Sequence, residues 1–155
     1  MRRMRILLAL PAAALALTAC SGGTDEAKTA YVDAASAVCS TASAEFAELP
    51  QPAAPADFAP FVQGTLTIAE QAQTGLSGLT PPEADRDELE SRVLAPFADL
   101  IEEGRAFAAQ VEAAGTDQVA LLPLLAQRPT AAGVDLDYLR EYGLPVCADA
   151  IGQAG

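Results

Sequence analysis

Histidine, tryptophan and asparagine do not occur in this 155-residue chain, lysine occurs once, at Lys28, and both methionines lie within the first five residues. Each absence removes a class of chemistry. No imidazole is present to act as a base toward a serine or cysteine nucleophile, or to ligate a metal. No asparagine means no N-glycosylation acceptor. Gly-x-Ser-x-Gly and phosphate-loop patterns are missing as well. No catalytic residue set and no cofactor are therefore expected. Sustained period-two alternation of β-branched residues is also missing, so strands are not expected.

Acid is abundant instead. Aspartate and glutamate total 21 against nine basic residues, a formal charge of −12. Three of the basic residues, Arg2, Arg3 and Arg5, belong to the front end, and the remaining chain carries six against 21, or −15. Such a surface does not bind nucleic acid and is repelled by an anionic bilayer. The acidic clusters do not form a calcium loop. An EF-hand needs an oxygen ligand at its fifth position, glycine at its sixth and glutamate at its twelfth. Counting from Asp135 puts Leu139, Arg140 and Val146 there, and counting from Asp85 puts Leu89 fifth and Glu90 sixth. No metal site is expected, and these acids read as solvated helix ends. A carboxylate-dependent hydrolase is the remaining enzymatic alternative, but among 21 acids some pair always has suitable spacing.

The front end is informative. Basic residues through Arg5 precede an uncharged run, Ile6 to Leu17. Twelve helical residues span ~18 Å, short of a ~30 Å hydrocarbon core, so the run reads as a signal-peptide core. Leu17-Thr18-Ala19-Cys20 resembles the lipobox of bacterial lipoprotein precursors. The resemblance implies cleavage after Ala19 and a diacylglyceryl thioether on Cys20, with two acyl chains giving stable anchoring where one holds only marginally. Ordinary cleavage leaving a free thiol is the alternative. The expected division is a signal peptide over 1–19, a lipidated Cys20 with a polar tether over 20–28, and a helical domain over 29–155. The tether has a reach of about 15 Å. The expected location is the extracytoplasmic face of the cell membrane, lipid-anchored.

With Cys20 assigned to lipid, Cys39 and Cys147 remain, and two cysteines in an exported chain allow one intramolecular pairing. A Cys39–Cys147 disulfide is expected, tying the first helix to the C-terminal segment; two buried free thiols are the alternative.

Helical spacing is strong in three stripes. Tyr31, Ala35, Val38, Ala42, Phe46 and Leu49 form the first, and Phe58, Phe61, Val62, Leu66, Ala69, Ala72 and Leu76 the second. Leu89, Val93, Phe97, Leu100, Gly104, Phe107 and Val111 form the third. Asp57, the Thr80/Glu83 pair, Thr116 and Asp135 are the expected N-caps. Gly143 followed by Leu144 has the grammar of a Schellman ending on a helix over Asp135–Tyr142, with Leu144 packing on Leu139 and Pro145 preventing continuation. Pro96 removes the bond to the Arg92 carbonyl, and a kink is expected there. The fold class is all-α, a four- or five-helix bundle stapled by one disulfide.

Two apolar features invite a functional reading. Val119, Leu121, Leu122, Leu124 and Leu125 make an almost wholly apolar run, which either plugs the bundle end or forms a contact surface for a partner or lipid. Pro96 and Phe97 either bend the helix around the core or open a slot for an apolar ligand. With the lipobox, Cys39 and Tyr142–Cys147 ("YGLPVC"), the chain resembles small helical lipoproteins of actinobacterial type, which carry one cysteine in the first helix and one near the C-terminus. The resemblance implies location and fold. The expected function is a non-enzymatic envelope module binding a protein or cell-wall partner, the alternative being a carrier of an apolar or lipid ligand between helices.

Overall fold

The computed structural model describes residues 22–155. The signal peptide and the Leu17–Cys20 lipobox lie outside the described residues. Helix α1 spans Gly22–Glu48, α2 Phe58–Ser77, α3 Arg86–Leu89, α4 Ala95–Ala114, α5 Gln118–Ala126, α6 Leu136–Tyr142 and α7 Pro145–Ala154. Five of these run for nine residues or more. Among the described residues there is no strand, and the class is all-helical as the periodicity predicts. No described helix is long and apolar enough to cross a membrane.

α2 packs on α4, α1 on both α2 and α7, and α6 on α7. Two glycines of α2 lie in close contact with side chains of α1 and of the residue that follows it. A Cβ at Gly75 would lie 2.9 Å from Val38 Cγ1, and one at Gly64 would lie 2.8 Å from Leu49 Cδ2. Cys39 and Cys147 are disulfide-bonded, with Cα atoms 4.9 Å apart across a sequence separation of 108. Both are buried. The bond is the expected staple between the first helix and the C-terminal segment. The Cβ position of Gly143 lies 3.8 Å from Val32, so α7 runs beside α1 in the same direction, from Val32 toward Cys39 and beyond.

The α6 ending follows its sequence grammar. Gly143 has φ 107°, the Leu144 N–H donates to the Leu139 carbonyl at 2.8 Å, and the Gly143 N–H donates to Arg140 at 3.2 Å. Pro145 stops α6 and opens α7, its missing N–H costing nothing in a first turn. The Asp135 carboxylate caps α6 by accepting from the Tyr138 N–H at 2.9 Å.

Four local expectations need correction. Helix α1 begins at Gly22, so residues 22–28 are helical where composition suggests a tether, and Lys28 packs over the Tyr142 ring at 4.1 Å. Thr116 does not cap α5; the neighbouring Asp117 does, accepting from Val119 and Ala120 N–H groups at 2.9 and 3.4 Å. Thr80 and Glu83 form no capping box, because the helix starts later, with Asp85 at the N-cap position. Asp57 does precede α2, but its carboxylate accepts from Ala53 and Ala54 N–H groups in the preceding loop. Around Pro96 the chain stays helical: α3 continues through a π-helical turn, Glu90–Leu94, into α4. That turn ends at Leu94, two residues before the proline that breaks the regular bonding ladder.

Candidate functional site

The second and third apolar stripes are covered unevenly. From Leu66 onward in α2, Leu66, Ile68, Ala69, Ala72 and Leu76 are buried. Toward its start, Phe58, Phe61 and Val62 are only half-buried. The opposing stretch of α4 includes Gly104, where a Cβ would lie 3.3 Å from Leu66 Cδ1. Having no side chain, Gly104 lets Leu66 pack closely against α4 at the edge of the space that both residues line. α5 contributes Leu125 alone from its own length.

The result is an apolar cavity of about 370 Å³. Phe58 and Phe61 on α2, with Phe97 and Phe107 on α4, give it four of the chain's five phenylalanines. Leu100 and Ile101 complete the α4 wall, and Ala154 of α7 closes one side. Polar groups are few: Gln51, Thr65, Gln153 and Arg128. No aspartate or glutamate lines the wall. One liquid water occupies ~30 Å³ and interiors contain few voids larger than that, so a space this size is not ordinary packing slack.

Phe97 lies in this wall, whereas Pro96 is not among the lining residues. The apolar run of α5 divides three ways. Leu121 is buried in the core, 2% exposed. Leu124 and Leu125 are half-buried, and Leu125 lines the cavity. Val119 and Leu122 face outward, 84% and 69% exposed. The run is therefore neither a complete plug nor a continuous contact face. Sequence reasoning missed Phe58, Phe61, Phe107 and Arg128 as wall residues. Three of them stand in the apolar stripes, where a core position and a cavity wall have the same signature.

A second cluster gathers all three tyrosines of the chain. Tyr142 meets Tyr31 edge-on, ring centroids 6.3 Å apart, and Tyr138 at 5.7 Å. Lys28 stacks over Tyr142 and Arg92 over Tyr138, both at 4.1 Å. The Tyr142 hydroxyl donates to Asp85 at 2.7 Å. Burial raises all three phenols above their ordinary value of 10.0, and the Asp85 carboxylate adds to this at Tyr142. Each cation and acid here already has a partner, so the cluster reads as a structural clamp. Among the described residues no group of three or more metal-ligating side chains converges.

No family model, no curated protein and no solved structure matches this chain.

Proposed function

We propose that this chain is a non-enzymatic envelope lipoprotein of the small helical actinobacterial type, and that it holds the apolar part of a ligand in the cavity between α2 and α4. One observation carries the reading: a 370 Å³ space walled by four phenylalanines. Small-molecule sites occupy roughly 300–1,000 Å³ and combine apolar walls with a few polar groups, and this cavity fits that description. The lipobox at Leu17–Cys20 supports anchoring at the extracytoplasmic face through lipid on Cys20. The buried Cys39–Cys147 disulfide supports an oxidising compartment. A carboxylate-dependent hydrolase has less support, because no acidic side chain lines the cavity.

Binding of a protein or cell-wall partner is the second reading, and Val119 and Leu122 favour it. Two exposed side chains are little beside the ~800 Å² per partner of a stable interface, so the cavity reading leads.

Native mass spectrometry of protein extracted from its own cells tests the proposal. The expected spectrum contains an added mass of one apolar ligand, lost in a Gly104→Leu variant whose new side chain occupies the space. A circular-dichroism melt establishes that the variant folds. A ligand-free wild type that also fails to bind an apolar dye would end the cavity reading.

A further inference from the structure

We infer that the cavity's ligand is a single-chain amphiphile with an anionic head, its tail among the phenylalanines and its head at Arg128. This rests on the cavity reading above and goes further by naming the ligand class. The electrostatics of the wall carry it. The chain has 21 acidic residues and nine basic ones, yet the wall contains one arginine and no acidic side chain. In a molecule this negative, that is the reverse of the surface average.

Arg128 also differs from three of the five arginines among the described residues, and unlike the equally unpaired Arg86 it lines the cavity. Arg92 pairs with Asp135, Arg105 with Glu70 and Glu102, and Arg140 with Asp137 and Asp149. Arg128 makes no ion pair or side-chain hydrogen bond among the described residues, and its guanidinium remains available to bind a carboxylate or phosphate in bidentate fashion. Pro129 follows it and also lines the wall, restraining the Arg128 backbone to extended geometry. Gln51 also lines the wall, whereas the Gln153 amide already donates to the Asp149 carbonyl at 3.2 Å. The volume, near the lower end of the small-molecule range, suits one chain rather than two.

The test is competition against an uncharged environment-sensitive dye, using detergent-free, oxidised protein. Decanoate, decyl phosphate, decanol and decylamine share a tail and differ in the head. At least one anion is expected to displace the dye at about two- to fivefold lower concentration than decanol, the range for an exposed ion pair. The tighter anion names the head. High salt narrows the gap. Arg128→Ala abolishes it with decanol unchanged, and Arg128→Glu shifts preference to decylamine. The side chain is exposed, so neither variant disturbs the core. Decanol matching both anions in the wild type, or a gap that survives Arg128→Ala, overturns the inference. A dye signal absent from the wild type, or unchanged by Gly104→Leu, instead overturns the cavity reading on which it rests.

Discussion

Arg92 and Asp135 are joined twice. The Asp135 N–H donates to the Arg92 carbonyl at 3.0 Å, and the Arg92 guanidinium donates to the Asp135 carboxylate at 2.7 and 3.1 Å. The first bond exists because residue 96 is proline. With no N–H four positions on, the Arg92 carbonyl lacks its ordinary α-helical partner, and the segment leading into α6 supplies one. The proline that breaks the ladder thereby ties the long helical segment to α6.

The carboxylate half of this joint makes a pH prediction. The Tyr138 N–H, then the Arg92 guanidinium, hold Asp135 below its ordinary value of 3.8. A depressed folded pKa contributes stability that is present above the unfolded value and lost as pH falls through the folded one. Wild type is therefore expected to lose more stability than Asp135→Asn between neutral pH and about pH 2. Urea midpoints at a series of pH values check this, and parallel curves would remove Asp135 from the account.

Removing the disulfide should be costly. For a loop of this size the chain-entropy model gives about 4–5 kcal/mol, and measured losses run to about 2–5 kcal/mol. The Cys39→Ala/Cys147→Ala double variant is expected to fall in that range by denaturant unfolding. Both sulfurs are buried, so reductant should open the wild-type bond only as fast as the protein unfolds.

Gly75 and Gly64 look alike in sequence and should respond differently to alanine. A Cβ at Gly75 meets Val38 at 2.9 and 3.2 Å, and valine is stiff at χ1. At Gly64 it meets the tip of Leu49, a half-buried side chain able to turn away. Alanine gains about 0.5–1 kcal/mol in a helix interior, while overpacking costs about 1–3 kcal/mol. Gly64→Ala is expected to be neutral or stabilising, and Gly75→Ala to destabilise by about 1 kcal/mol. Thermal melts of the two variants decide it.

The tyrosines offer a spectroscopic test. Their raised pKa values mean that the cluster's contribution is complete below the ordinary value of 10.0 and lost as pH rises through the folded values. Ultraviolet titration of the folded protein should show less phenolate at pH 10 than the urea-unfolded chain, with Tyr142 ionising last. Asp85→Asn should bring that final step down in pH. Tyr142→Phe should cost about 1 kcal/mol, the ordinary net contribution of one hydrogen bond.

Much of the fold was legible because its signals are local. The Gly143 ending, the Asp135 cap and the three stripes each depend on residues within a few positions of one another. The disulfide was legible for a different reason: assigning Cys20 to lipid leaves a single pairing. Some failures were local, as where Asp117 caps α5 in place of its neighbour Thr116, and others occurred where a distant partner decided the outcome. Asp85 is held by the hydroxyl of Tyr142, 57 residues away, and Lys28 is drawn out of the expected tether by the same ring. The cavity was only half legible. A stripe shows which face of a helix is apolar, but whether two facing stripes fill the space between them depends on their relative placement.

The early start of α1 changes how an anchored molecule would stand. With Cys20 acylated, Ser21 alone separates the anchor from a helix of 27 residues, about 40 Å long at ~1.5 Å per residue. The mount is then a mast rather than a leash. Gln51 and Pro52, just past the far end of that helix, line the cavity. On the proposed reading, a ligand held there would sit toward the end of α1 remote from the anchor.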